Sequence, residues 1–428
     1  MKYYSTRNQH NSYSLSEAVA KGLASDGGLF VSDHLPHFDQ NDFSQIDLLS
    51  NFAYKILKPF FHGDPLEEKL QSICDKTFSF SIPLKFFTDN KGILELYHGP
   101  TAAFKDVGAR FLANTMENLL DPGDFKTILV ATSGDTGSAV ASAFHQNKNF
   151  KVVILFPLGK VSKRQEHLLS CYGDNVTSIA VEGSFDDCQR MVKETFLNNK
   201  ISQSLRLSSA NSINIGRLLP QCVYYAKASV DYLKQTGRSP SFIVPTGNLG
   251  NALAAVLVKE MGFGINKIVF SNNKNAVMEN FFNKKRYEAR KSVATIANAM
   301  DVGAPSNMER LLYYFPNFKD LFNFSLAHTA DDEMIRRTII DVYTQYKLEI
   351  CPHTATAFQS LEQVDNDNCI VVATAHAAKF SDVVEPLLKK KVHIPESLQE
   401  LLAKKSSFLK LQANTSQLEK YLFDILSF

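Results

Sequence analysis

The segment His98-Gly99-Pro100-Thr101-Ala102-Ala103-Phe104-Lys105-Asp106 puts a single lysine just after a rigid Gly-Pro turn, inside a run of small and apolar residues. An ammonium is a strongly hydrated charge. Held among Ala102, Ala103 and Phe104, its pKa falls and the amine becomes a nucleophile or a proton carrier. That is the chemistry needed to form a Schiff base with an aldehyde cofactor. The plainer alternative is a surface lysine at a helix start, paired with Asp106.

Three further segments have the make-up of anion sites. Ile243-Val244-Pro245-Thr246-Gly247-Asn248-Leu249-Gly250-Asn251 reads as a strand, a glycine loop and a helix start. Glycines let backbone N–H groups approach a ligand, and a helix N-terminus attracts negative charge. The loop matches neither the dinucleotide nor the triphosphate glycine pattern. Its alternative is a tight turn that merely uses glycine. Val130-Ala131-Thr132-Ser133-Gly134-Asp135-Thr136-Gly137-Ser138 repeats the design and adds the hydroxyls of Thr132, Ser133 and Thr136. Here Asp135 has the alternative role of a helix cap. Asn211-Ser212-Ile213-Asn214-Ile215-Gly216-Arg217 gathers two amides, a hydroxyl and an arginine at a helix start. Arg217 suits bidentate binding of phosphate or carboxylate, or is a surface arginine behind an N-cap.

The elements that must position these residues follow from the apolar pattern. Strands are expected at Thr127–Ala131, Val152–Phe156, Val176–Val181, Phe242–Pro245, Lys267–Phe270 and Ile370–Thr374. Helices are expected at Ser138–Gln146, Gln165–Cys171, Asp186–Leu197, Ile213–Lys234, Asn251–Met261 and Asp331–Tyr346. Repeated βα units with continuous apolar strands imply a parallel sheet covered on both faces. Thr236-Gly237-Arg238-Ser239-Pro240 interrupts the pattern as a candidate hinge. Residues 1–90 lack regular alternation and read as a separate N-terminal element. Pro395 to Phe428 reads as helices packed on the outside.

A chain of 428 residues is too long for one small core. Its 46 basic and 44 acidic residues leave a net charge of +2, which favours neither nucleic acid nor an anionic membrane. Cys74, Cys171, Cys188, Cys222, Cys351 and Cys369 are scattered, with no paired or metal-ligand spacing. That pattern suits free thiols in a reducing compartment, and no metal is expected. The start of the sequence lacks an apolar signal core and no window reaches membrane length, so a cytoplasmic location is expected.

In this order, the segments resemble the threonine synthase family of fold-type II pyridoxal-phosphate enzymes. The Lys105 segment is similar to the family's cofactor-lysine motif. Ser133-Gly134-Asp135-Thr136-Gly137 is similar to its substrate and cofactor-ring loop. The 211–217 segment resembles its phosphate-recognition segment, and Gly247-Asn248-Leu249-Gly250-Asn251 its cofactor-phosphate loop. Ser25-Asp26-Gly27-Gly28-Leu29-Phe30-Val31, Asn298-Ala299-Met300-Asp301-Val302 and Thr374-Ala375-His376 are also familial. The likeness runs from near the N-terminus to about residue 385. Asp135 and Ala375, in place of the short branch's Asn and Gly, suit the longer branch.

The resemblance implies an α/β fold with two parallel-sheet-centred domains and an additional N-terminal element. The expected division is 1–90 for that element, 91–235 for a small domain with the lysine and substrate loops, and 236–428 for a large domain with the cofactor-phosphate loop. It implies pyridoxal 5'-phosphate as cofactor, bound by Lys105, Asp135, Gly247, Asn248, Leu249, Gly250, Asn251 and Thr374. Lys105 is the implied catalytic residue, moving protons at Cα and Cβ, and Thr374 the implied partner of the pyridine nitrogen. Thr132, Ser133, Thr136, Asn211, Ser212 and Arg217 would share the substrate's carboxylate and phosphate. The implied reaction turns O-phospho-L-homoserine and water into L-threonine and phosphate. No nucleic-acid or membrane partner is expected, and the chain is expected to act as a monomer. Alternatives are a serine or threonine dehydratase, an amino-alcohol phospholyase, or a catalytically silent ligand-binding homologue.

Overall fold

A computed structural model of the chain describes residues 1–132, 134–364 and 368–426. Ser133, a candidate substrate residue, therefore lies outside the described residues.

Two separate sheets carry the fold. In the larger, six strands lie in the order Ser325–Thr329, Ile268–Asn272, Ser241–Pro245, Cys369–Ala373, Lys91–Glu95, Leu84–Thr88. All neighbours are parallel except the last pair. The three strands Ser241–Pro245, Ile268–Asn272 and Cys369–Ala373 are buried at every position. Helices cover both faces, so these strands need no polar alternation, and they read as continuous apolar runs.

The smaller sheet orders Leu409–Gln412, Val176–Glu182, Phe150–Pro157, Lys126–Ala131 and Leu207–Ser208, all parallel. Here the two-residue period separates two cores. Leu129, Val153, Leu155, Ile179 and Val181 pack under Cys188, Met191, Leu418 and Leu422 on the outer face. Ile128, Val130, Val152, Ile154 and Phe156 join the main core with Val140, Phe144, Leu168 and Leu169.

The N-terminal element pairs Tyr3–Ser5 with Phe30–Ser32 in antiparallel fashion. Its helices Leu15–Lys21 and Leu70–Thr77 lie against the helix Lys105–Glu117. Arg110 of that helix donates to the Lys76 carbonyl and to Ser79 Oγ, the latter over 2.9 Å.

Most expected elements form within two residues of their expected ends. Two expectations change. The helix expected over Ile213–Lys234 is split into Ile215–Leu218 and Gln221–Thr236, because Pro220 interrupts the continuous ladder. The C-terminal stretch contains a strand, Leu409–Gln412, between the helices Glu396–Ala403 and Thr415–Leu426. The sheets also draw strands across the expected boundaries. Lys91–Glu95 belongs to the large sheet, and Leu409–Gln412 closes an edge of the small one.

Candidate active site

The strands Ser241–Pro245, Cys369–Ala373 and Lys91–Glu95 are neighbours in the large sheet. Their C-terminal ends release the glycine loop, Thr374 and the loop to Lys105, all on one side. Ligands of open parallel sheets bind outside these carboxyl ends. The strand Lys126–Ala131 of the small sheet delivers the 132–135 loop.

Lys105 opens the helix Lys105–Glu117. The backbone before it is held to the central strand: Phe104 N donates to the Thr374 carbonyl over 2.9 Å, and Ala103 bridges Ala375. Ala102 is fully buried at a φ of 52°, a left-handed conformation that a side-chain-bearing residue adopts only under local constraint. Asp106 does not pair with the lysine. It accepts from Thr101 N at 2.9 Å and Thr101 Oγ1 at 2.6 Å. Lys105 itself stays partly accessible, as an amine that must meet a ligand has to. Burial depresses the pKa of its ammonium; Asp135 opposes the shift, while Lys379 and Arg217 add to it.

Asp135 is buried at the start of the helix Asp135–Phe144. Its Oδ1 lies 3.0 Å from Lys379 Nζ and 3.5 Å from Gln165 Nε2. Burial alone would raise this carboxyl's pKa. Lys379, Lys105 and His353 outweigh burial and hold it well below the usual range. Gly134 precedes it at a φ of 144°, and a Cβ there would meet the Gln165 amide at 2.6 Å. Glycine is required on both counts. Thr132 is buried and its Oγ1 accepts from Gly134 N at 3.0 Å and Gly137 N at 2.9 Å. The hydroxyl expected to meet substrate is therefore an internal brace of its loop. Thr136, in the first turn, is half-buried.

The glycine loop ends in the helix Gly250–Glu260, whose first turn leaves N–H groups without intrahelical acceptors. Leu249 holds a φ of 64° at the helix start, so a strained residue sits where those N–H groups converge. A Cβ on Gly247 would come within 2.9 Å of Met300 Cα. Asn248 Nδ2 donates to Ser212 Oγ at 2.5 Å, and its Oδ1 accepts from Ser306 N at 2.6 Å. Asn251 points beneath the loop: Oδ1 accepts from Tyr224 and Tyr225 at 2.5 and 3.0 Å, and Nδ2 is a buried donor with no partner among the described residues.

In the 211–217 segment, Asn211 and Ser212 are half-buried at the surface of the pocket. Asn214 accepts from Gly216 N and donates to the Val19 carbonyl, both over 2.9 Å. Arg217 is buried under the Lys105 helix, where a Cβ on Gly108 would sit 2.9 Å from its Nε. Nη1 donates to the Ala210 carbonyl over 2.6 Å, but Nε is a buried donor with no partner among the described residues. Among the described residues no carboxylate ion-pairs with this guanidinium, and burial lowers its pKa to about 10. A buried cation without an anion is costly unless a ligand supplies the charge.

Residues not singled out from the sequence complete the pocket. Lys379 arrives from the turn Ala377–Phe380 behind Thr374. His353, in the helix Pro352–Leu361, accepts from Ala299 N at 3.1 Å, and burial lowers its pKa to about 4. Gln165 links Asp135 to Asn298, whose Nδ2 donates to Gln165 Oε1 over 3.2 Å while its Oδ1 stays unpartnered. Only the familial Asn298-Ala299-Met300 run hinted at this wall.

The donor set fits pyridoxal phosphate. It offers an amine of depressed basicity, a strained N–H cradle at a helix start, a neutral threonine at the central strand end, and an orphaned buried donor on Asn251.

Comparison with known proteins agrees with this reading. Residues 93–375 match the model described as pyridoxal-phosphate dependent enzyme, residues 2–78 that for the threonine synthase N terminus, and residues 353–422 that for the threonine synthase C-terminal region. The threonine synthase of Buchnera aphidicola from Acyrthosiphon pisum is 38% identical over 93% of this chain and 94% of its own length. That of Escherichia coli K12 is 36% identical over 94% of each. The crystal structure of the Escherichia coli threonine synthase superposes with a TM-score of 0.92 at 34% identity, covering 99% of this chain and 100% of that one. A PLP-bound threonine synthase from Brucella melitensis gives a TM-score of 0.92 at 32% identity, covering 99% and 98%.

Proposed function

The chain belongs to the threonine synthase family of pyridoxal-phosphate-dependent enzymes, and from that premise we infer how its own residues divide the work. It is a lyase that converts O-phospho-L-homoserine and water to L-threonine and phosphate.

Lys105 carries the cofactor and then moves protons at the substrate's Cα and Cβ, taking one and returning it as general base and acid. Its partly accessible position and depressed basicity support this role. Pyridoxal phosphate, when bound, supplies an aldehyde carbon for amines and a ring that withdraws electrons. Gly247, Asn248, Leu249 and Gly250 would hold its phosphate through backbone N–H groups. Asn251 fixes that turn from below through its tyrosine partners. Asp135 would serve the ring's hydroxyl side, and Thr374 its nitrogen.

The substrate's carboxylate and phosphate fall to Thr136, Asn211, Ser212 and Arg217, with Ser133 as a further ligand. Thr132 contributes by bracing the loop. The unpartnered Nε of Arg217 supports its assignment to a phosphate. A second anion site is what a phosphorylated substrate requires beyond the cofactor's own cradle.

We divide the chain into the N-terminal element, a small domain around the five-stranded sheet and a large one around the six-stranded sheet. We place it in the cytoplasm, where its six free, buried thiols would stay reduced, and take it to act as a monomer. Among the described residues no helix is long and apolar enough to cross a membrane.

The observation that carries the assignment is that Lys105 and the glycine loop leave the carboxyl ends of the strands on either side of Cys369–Ala373, while the small sheet brings Asp135 beside Lys105. The test is product analysis with O-phospho-L-homoserine. Stoichiometric threonine and phosphate are expected; a keto acid as the main product would sink the reading.

A further inference from the structure

Two lysines meet in this pocket. Lys379 is 1% exposed, and its Nζ lies 3.0 Å from Asp135 Oδ1 and 2.7 Å from the Thr101 carbonyl oxygen. Lys105 lies beside the same carboxylate, but among the described residues its Nζ makes no ion pair or hydrogen bond; its ring neighbour is Phe104, 5.4 Å away.

We propose that Lys379 is a positioning residue of this site: its ammonium occupies Asp135 and thereby leaves Lys105 as the amine free to give up its proton.

The argument is one of charge and geometry. A buried carboxylate facing a single lysine would form an ion pair with it and hold it protonated. With Lys379 in place, Asp135 is already matched, and the remaining field at Lys105 comes from cations. The groups facing Lys105 are Asp135, Lys379, Arg217 and Cys351. Asp135 also faces His353, which stays neutral because burial disfavours its charge. Asp106, a further buried acid that faces Lys379 and Arg217, is tied to Thr101. The cations Lys105, Lys379 and Arg217 outnumber the carboxylates Asp135 and Asp106, and the geometry selects Lys105, the amine without a partner, as the one to discharge.

Lys379 also acts on the backbone. Its bond to the Thr101 carbonyl joins the turn Ala377–Phe380 to the loop that ends in Lys105. The same ammonium therefore fixes Asp135 on one wall and the approach to Lys105 on the other.

This inference rests on Lys105 as the cofactor lysine, and the experiment separates the two. Borohydride reduction of the holoenzyme and peptide mass mapping locate the cofactor; attachment elsewhere than Lys105 overturns the assignment of Lys105. Trace labelling with acetic anhydride across neutral to alkaline pH, on the full-length chain freed of cofactor, then reads each amine. In the wild type, Lys105 should reach half-labelling at a pH below that of an ordinary exposed lysine. In Lys379→Met its midpoint should rise by about one unit, a roughly tenfold loss of labelling near neutral pH. Lys379→Arg should keep the wild-type midpoint. Adding Asp135→Asn to Lys379→Met should reverse the rise. Labelling of wild-type Lys105 only at the pH of an ordinary exposed lysine overturns the proposal, and this wild-type measurement decides even where Lys379→Met does not fold. An unchanged midpoint in Lys379→Met, a changed one in Lys379→Arg, or a rise that Asp135→Asn does not reverse, also overturns it.

Discussion

Asn248 Nδ2 donates to Ser212 Oγ over 2.5 Å, and Asn307 Nδ2 reaches the carbonyls of both residues, at 3.1 and 3.4 Å. The glycine loop and the 211–217 segment are thus one continuous surface. Behind them Arg310, fully buried, donates to Asn307 Oδ1 at 2.8 Å, the Ile213 carbonyl at 2.6 Å and the Phe30 carbonyl at 3.0 Å. One guanidinium ties the glycine loop and the 211–217 segment to the N-terminal element.

Replacing Arg310 with Met should loosen this surface. Each buried acceptor left unpaired costs roughly 1–3 kcal/mol, partly offset because a buried charge is also removed. The expected result is a lower urea midpoint together with weaker pyridoxal phosphate binding. Unchanged values of both would refute the role.

Lys105→Ala should abolish covalent attachment of the cofactor while leaving the N–H cradle intact. Loss of the proton carrier alone is worth about 10²–10⁴ in rate. The visible spectrum of the bound cofactor and a threonine assay check it. Near-normal turnover would mean that another amine does the work.

Arg217→Ala should weaken use of O-phospho-L-homoserine and inhibition by inorganic phosphate. A charge-assisted hydrogen bond in a closed site is worth about 1.5–3 kcal/mol, or roughly ten- to hundredfold in affinity. Cofactor retention should change little. The decisive measurement is the phosphate inhibition constant, which should stay put if Arg217 is only a packing residue over Gly108.

Thr374→Ser should be mild, whereas Thr374→Asp should bind cofactor yet slow threonine formation and divert substrate to other products. A carboxylate beside the ring nitrogen would keep it protonated, and a hydroxyl does not. Product ratios of the two variants provide the comparison. An Asp variant equal to wild type would remove Thr374 from that position.

His353 sets a pH limit on stability. Burial lowers its pKa from 6.5 to about 4 in the folded chain. Between those values the unfolded chain binds the proton and the folded chain does not. Stability is therefore complete above about pH 6.5 and falls as pH drops towards about 4, by on the order of 3 kcal/mol. Melting temperatures at about pH 7 and about pH 5 should separate clearly in the wild type, and less in His353→Gln. Equal separation in both proteins would assign the loss to other groups.

The parts of the site that could be read in the sequence are those written locally. The lysine behind Gly99-Pro100, the hydroxyl loop before Asp135 and the glycine loop before Gly250 each combine a strand end with a helix start within ten residues or so. Lys379, His353, Gln165 and Arg310 carry no such local sign, because the topology alone brings them in. Lys379 is one more lysine until the strand Cys369–Ala373 is placed beside Lys91–Glu95. The strand Leu409–Gln412 lacks a sequence signal for another reason. It is an edge strand, largely exposed, in a segment rich in Lys and Ser, so no apolar run marks it. Pro220 was visible, but the apolar pattern on either side of it masked the break it causes.

The pairing of Cys369–Ala373 between Ser241–Pro245 and Lys91–Glu95 has a consequence for synthesis. The strand at the middle of the large sheet is made after both of its neighbours. Until the ribosome has passed Thr374, Lys91–Glu95 has no place in that sheet and the lysine loop lacks the carbonyl it docks on. A nascent chain thus carries every anion loop before it can assemble a cofactor pocket. Acquisition of cofactor is a late event, timed by chain elongation rather than by the order of the motifs.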